Sequence, residues 1–145
     1  MTIEKKLDTV RLFYIGGIVD SLLHFQKQGV LAAVAEDKRN SVMARGPMQV
    51  RQLGIEDLKD VFLKTAELFD CAAWTIEEEE DGFVAEARTC RLCDMCKKAQ
   101  APNPCFMYCL DPLRGMLKAL DPTKEFSVIE TLWSGEQCKV KIAGK

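Results

Sequence analysis

Glycine and proline are scarce in this sequence, nine and five of 145 residues, which excludes collagen-like and low-complexity chains. Long apolar runs are missing too. The longest, 12–19 and 30–35, fall far short of the roughly 20 residues that cross a membrane. A net charge of −2 offers no basic footprint for nucleic acid. The chain has only one histidine, His24, so any Cys–His catalytic pair would depend on it.

The sequence does contain enough apolar residues for a packed core. Hydrophobic residues make up 48% of the chain, and a domain of this length buries about two-thirds of its unfolded surface. The N-terminus, MTIEKK, is charged and leads into an amphipathic pattern without the apolar segment of a signal peptide. We therefore expect one cytosolic domain over 1–145 that binds neither nucleic acid nor a membrane.

The first 70 residues have the apolar period of helices. In the first helix the apolar positions recur every three or four residues: Ile3, Leu7, Val10, Tyr14, Ile18, Leu22 and Phe25. Gly29 ends or bends this helix, and the pattern continues in a second one to Met43. Gly46-Pro47 predicts a loop, and a third helix is expected to begin near Gly54. Region 1–70 is thus predicted to be mainly helical.

From residue 71 the period changes to that of strands. Trp74 and Ile76 alternate with polar residues, and Asp81-Gly82 predicts a tight hairpin turn. Residues 90–104 have no clear period and predict a loop with at most one helical turn. A helix is expected over 105–120, where Pro112 requires either a kink or a new helix start at Asp111. A second hairpin, with strands at 126–131 and 138–142, follows.

This order of elements predicts the fold class. Region 71–145 is expected to hold a hairpin, a cysteine-rich loop and helix, and a second hairpin. Together with the helices of 1–70, it gives an α+β domain in which N-terminal helices pack on a roughly four-stranded antiparallel sheet.

The distribution of cysteine is the main chemical signal. None of the seven cysteines precedes Cys71, and five fall within twenty residues: Cys90, Cys93, Cys96, Cys105 and Cys109. An odd number, without an export signal, argues against a disulfide framework. Cys105 and Cys109 are one helical turn apart, and any two of the other three could complete a tetrahedral thiolate site. The spacing therefore predicts zinc as the cofactor.

Two alternatives for these cysteines stay open. The x2, x2 spacing of the first three also begins an iron–sulfur pattern, but the next cysteine comes eight residues later and not three, so this reading is the runner-up. Close thiols beside Arg91, Lys97 and Lys98 could also act as a redox-sensing dithiol, because nearby positive charge lowers a thiol pKa.

Three further residues could assist the site. Asp111 follows the second cysteine pair, and Glu130 lies on the third predicted strand, eight residues before Cys138. Either carboxylate could act as a ligand or transfer a proton. Cys138 shares a strand face with Val140 and Ile142, which also suits a buried residue with no chemistry.

Short motifs in 74–142 resemble a known family. Segments 89–90, 104–111 and 135–140 read TC, PCFMYCLD and GEQCKV. They resemble the L-2-amino-thiazoline-4-carboxylate hydrolase-like family, a distant relative of vinyl-4-reductase domains. Those domains share an α+β fold with TRAPP transport subunits. The resemblance implies a pocket for a small molecule between helices and sheet, and in some relatives a structural zinc held by cysteines and a glutamate.

These observations lead to two expectations for function. The first is a cysteine-rich, metal-binding domain that also binds a small molecule and acts as a sensor or accessory protein. The alternative is a hydrolase that opens a small sulfur- or nitrogen-containing ring. In that case Cys105 or Cys109 would be the nucleophile or metal ligand, and Asp111 or Glu130 would transfer the proton. A two-fold homodimer through the first helix is a further hypothesis.

Overall fold

A computed structural model describes residues 1–144 and shows the expected α+β fold, with helices packed on an antiparallel sheet. The α-helices are α1 (Ile3–Lys27), α2 (Leu31–Leu53), α3 (Leu58–Phe69), α4 (Arg91–Lys98) and α5 (Asp111–Leu120), and a π-helical turn (Phe106–Leu110) leads into α5. The strands are β1 (Thr75–Glu79), β2 (Gly82–Ala87), β3 (Lys124–Glu130) and β4 (Cys138–Gly144).

Helix α1 begins where the Thr2 side chain accepts a hydrogen bond from the Lys5 amide (3.1 Å), which satisfies one of the free N–H groups of the first turn. It ends before Gly29, which adopts the left-handed conformation (φ +71°). The apolar stripe is buried only in its second half, from Ile15 onward, whereas Ile3 is 79% exposed. The homodimer through the first helix stays a prediction.

The predicted loop at Gly46-Pro47 is wrong, because α2 continues through both residues. Pro47 and Met43, four residues earlier, are both exposed. Water can therefore replace the hydrogen bond that the proline nitrogen cannot donate to the Met43 carbonyl. The buried face of α2 at this point is formed by Val42 and Gly46. Met43, which the apolar pattern included, is exposed. Gly54 ends α2 in the left-handed conformation, so it does not begin the third helix.

Helices α2 and α5 approach each other so closely that two glycines are required at the crossing. A Cβ atom on Gly46 would overlap the Gly115 carbonyl, and one on Gly115 would lie 2.6 Å from the Val42 carbonyl oxygen. Contact at this distance is possible only where neither helix carries a side chain. The crossing fixes the position of α2, which supplies most of the polar groups described below.

The sheet has the strand order β1-β2-β4-β3, and all neighbouring strands are antiparallel. The first predicted hairpin is confirmed, but its turn lies one residue earlier than expected. Glu79 pairs with Gly82, so Glu80 and Asp81 form the turn and Gly82 is the first residue of β2. The helical layer meets the sheet at the Phe62 side chain of α3. Its ring lies 5.1 Å from that of Trp74 and 5.9 Å from that of Phe83, both edge to face.

Region 90–112 is more regular than predicted. Cys90 caps α4, which forms two turns where a loop was expected, because Leu92, Cys93 and Cys96 bury one side of it. Before Pro112 the helix widens to a π turn, and the Asp111 amide donates to the Phe106 carbonyl five residues back. Pro112 has no N–H to continue the α-helical pattern at this point.

Candidate functional site

A cavity of about 410 Å³ lies between the helices. Helices α1, α2 and α3 form one side, and segment 71–74, the start of α4, the π-helical turn and α5 form the other. Most of its wall is apolar. The buried apolar residues there include Val42, Trp74, Met107, Leu113 and Met116. The size lies in the range of about 300–1,000 Å³ that holds small organic ligands.

One side of this cavity is polar and comes from α2. Lys38, Arg45 and Gln49 lie on one face of the helix and line the cavity. The Lys38 ammonium lies 4.6 Å from the centre of the Tyr108 ring, a cation–π distance. Burial, and then the charge of Arg45, lower the pKa of Lys38. Two like charges are therefore held near each other at the same end of the cavity.

These groups lack partners within the part of the chain that the structure describes. Neither Lys38 nor Arg45 forms an ion pair among residues 1–144. The Gln49 Oε1 atom is buried and accepts no hydrogen bond. No aspartate, glutamate or histidine occurs among the described residues that line the cavity. The polar end therefore has an excess of positive charge and one unsatisfied acceptor.

The opposite side of the cavity carries thiols. Cys71, Cys90 and Cys109 all line it, and an isolated bridge between Ala72 and Cys90 joins the segments that hold two of them. Burial raises the pKa of Cys71 to about 11 and that of Cys109 well above its ordinary value. The neighbouring Cys93 thiol, and then burial, raise the pKa of Cys90. All three are therefore protonated thiols at neutral pH.

A second, much smaller cavity of about 20 Å³ lies behind these thiols. Five cysteines line it: Cys90, Cys93, Cys105, Cys109 and Cys138. Two of them, Cys90 and Cys109, line both cavities and form part of the wall between them. Within this group the Cys93 and Cys105 sulfur atoms lie 3.4 Å apart.

The structure thus gathers four of the five predicted metal ligands, together with Cys138, and leaves Cys96 out. Cys96 is buried on a different side of α4, among Ile15, Ile18 and Leu22 of α1. No group of three or more histidine, cysteine, aspartate or glutamate side chains is arranged to hold a metal ion between residues 1 and 144. As they are placed, the thiols do not fit zinc or an iron–sulfur cluster, and metal binding stays a prediction from the sequence.

The two predicted carboxylates have structural partners away from the large cavity. Asp111 is buried and pairs with Arg39 at 3.6 Å and Arg114 at 3.8 Å. Glu130 accepts the amide hydrogens of Glu136 and Gln137, at 2.8 and 3.0 Å, and these bonds lower its pKa. Glu130 therefore holds the loop between β3 and β4, and neither carboxylate is placed to transfer a proton to a ligand in the cavity.

Sequence reasoning missed the polar residues of α2. No local pattern singles out Lys38, Arg45 and Gln49, because polar residues on an amphipathic helix normally face water. Their spacing in register with Val42 was the available signal, because positions 38, 42, 45 and 49 form one stripe. Only the tertiary structure shows that this stripe faces a cavity.

Comparison with known proteins adds no relative. No protein-family model matches the chain, and no curated protein or solved structure is significantly similar to it. Within residues 1–144 there is also no helix with the length and apolar character needed to span a membrane. The resemblance to the hydrolase-like family therefore stays a prediction.

Proposed function

We propose that this chain is a small-molecule-binding domain whose large cavity takes a ligand with an apolar body and an anionic group. The observation that carries the proposal is the pair of cations, Lys38 and Arg45, which face a mostly apolar cavity and have no carboxylate opposite them. Lys38 is half-buried and Arg45 is exposed beside it, so an anion bound next to them would meet two positive charges where water is partly excluded. The anion would also offset the burial, and then the charge of Arg45, that lower the pKa of Lys38.

The rest of the cavity defines the ligand further. Its apolar wall between Trp74 and Met116 suits a hydrocarbon or aromatic body, which gains about 25 cal/mol per Å² of apolar surface removed from water. The unsatisfied Gln49 Oε1 atom would accept a hydrogen bond from a hydroxyl or amine of the ligand. Arg45 and Gln52 are exposed, so a ligand would enter from the side of α2.

Binding is better supported than catalysis. A hydrolase that opens a ring needs an activated nucleophile or a general base beside the ligand. The cysteines at the cavity are instead held as thiols, because burial raises the pKa of Cys71 to about 11 and also raises that of Cys109. We therefore propose a sensor or accessory role, in which ligand binding itself is the function.

The proposal is tested with two probes that differ in charge. Decanoate and decanol share the apolar chain, and their affinities are measured by displacement of the fluorescent dye anilinonaphthalene sulfonate. We expect decanoate to bind more tightly than decanol. The substitutions Lys38→Gln and Arg45→Gln should each weaken decanoate about tenfold, equivalent to about 1.4 kcal/mol, and leave decanol unchanged.

Matched controls separate this effect from a general loss of charge. Arg51→Gln removes an exposed arginine of the same helix, and Lys98→Gln removes an exposed lysine of α4; neither residue lines the cavity. Both should bind decanoate as the unmodified chain does. Equal affinity for the two probes, or equal losses in the control and cavity variants, would refute the proposed ligand class.

A further inference from the structure

Two buried thiols are already in contact at the small cavity. The Cys93 and Cys105 sulfur atoms are 3.4 Å apart, and a disulfide needs about 2.0 Å. Both residues are almost completely buried, at 4% and 6% exposure. They lie twelve residues apart in the chain, one within α4 and the other immediately before the π-helical turn. The adjoining space of about 20 Å³ leaves room for the sulfur atoms to move.

The backbone on both sides of the pair is held in place. The Cys105 amide donates to the Asn103 side chain at 2.8 Å. Just after α4, the Ala101 amide donates to the Cys96 carbonyl at 2.9 Å. Within α4, the Lys97 ammonium donates to the Leu132 carbonyl at 2.8 Å. Because both thiols are fixed by the fold, each reacts with the other at a high effective concentration.

We infer that Cys93 and Cys105 form a redox site, which a hydroperoxide converts to an intramolecular disulfide. One thiol loses its proton, and its sulfur attacks a peroxide oxygen. The O–O bond breaks, the departing hydroxide takes up that proton to form water, and a sulfenic acid remains. The second sulfur then attacks the sulfenic sulfur, the S–O bond breaks, and the released hydroxide takes the second thiol proton. Overall, two thiols and hydrogen peroxide give one disulfide and two waters.

The site is distinct from the proposed function, since no ligand in the large cavity is required. Because only the thiolate attacks the peroxide, disulfide formation should be faster at higher pH.

The experiment uses the reduced full-length chain treated with hydrogen peroxide. After oxidation the thiol count in denaturant should fall from seven to five. Trypsin cleaves beside Arg91, Lys97, Lys98 and Arg114, so one peptide (92–97) holds Cys93 and Cys96 and another (99–114) holds Cys105 and Cys109. We expect these two peptides to be joined, and fragmentation of the joined pair to place the bond between Cys93 and Cys105.

Each partner has a matched control on its own element. Cys93→Ala and Cys105→Ala should keep all six remaining thiols. Cys96→Ala, on the same helix as Cys93, and Cys109→Ala, four residues after Cys105, should still lose two. A disulfide that joins Cys93 to Cys90 or to Cys109 would overturn the inference. Oxidation to sulfinic acid without a crosslink would overturn it as well. The peptide map of the unmodified chain decides the question even if a variant does not fold.

Discussion

The two cavities of this protein differ in size, in chemistry and in the part of the chain that supplies their reactive groups. The large cavity, about 410 Å³, takes its two cations and its unsatisfied amide from α2, within the cysteine-free first 70 residues. The small cavity, about 20 Å³, has five cysteines from the second half. Charge and volume in the first suit an organic anion, whereas contact between thiols in the second suits chemistry among the protein's own sulfur atoms. Cys90 and Cys109 belong to both walls.

The largest expected effect comes from separating the helices that shape the large cavity. Gly46→Ala should lower the free energy of unfolding by about 1–3 kcal/mol, because its Cβ atom would overlap the Gly115 carbonyl and force α2 away from α5. Urea denaturation measures this loss. Decanoate affinity should fall as well, since α2 carries Lys38 and Arg45. Disulfide formation between Cys93 and Cys105 should not change.

The control for this variant is Gly16→Ala in α1. Gly16 also lies inside a long helix, but a Cβ atom there would meet nothing within 4 Å. Alanine should therefore raise the free energy of unfolding by about 0.5–1 kcal/mol, through the lower flexibility of the unfolded chain. Similar values for the two variants would show that the helices do not cross as closely as described. A lost disulfide in Gly46→Ala would show that the two cavities are coupled.

A smaller effect is expected from making the polar end of the large cavity apolar. Gln49→Leu removes a buried acceptor that has no partner, so the free energy of unfolding should rise by about 1 kcal/mol. The affinity for decanoate should stay the same, because this probe has no hydrogen-bond donor for Gln49. Gln52→Leu, at an exposed position of the same helix, should change stability by less than about 0.5 kcal/mol. A destabilised Gln49→Leu variant would mean that the amide already has a partner.

The architecture could be predicted from local signals. Alternating residues around Asp81-Gly82 predicted the first hairpin, and the face shared by Cys138, Val140 and Ile142 predicted the last strand. Both follow from the two-residue period of a strand, which needs no knowledge of the rest of the chain. The mistakes occurred where packing overrides a local preference. Gly46-Pro47 reads as a loop, yet contact with Gly115 keeps it helical.

The candidate site was predicted only in part, for a related reason. Cysteine spacing found most of the thiols around the small cavity, since residues close in sequence are close in space. The same spacing could not show that Cys96 faces α1 while Cys93 faces Cys105. Lys38 and Arg45 carry no local sign that they line a cavity, because a polar residue on a helix normally faces water. What places them at a cavity is the position of α2 against α5, a long-range property.

The last prediction concerns bound zinc, of which we expect very little. Chain purified without chelators and then desalted should hold well below one zinc atom per molecule by mass spectrometry, and show no visible absorbance from iron and sulfide. A zinc site needs several thiolates that converge on one point, and no three ligands converge within 1–144. About one zinc per chain, lost in Cys105→Ala but kept in Cys96→Ala, would contradict this expectation. The small cavity would then be a metal site that closes when thiolates form, and the contrast between the two cavities would become one between an organic ligand and a metal ion.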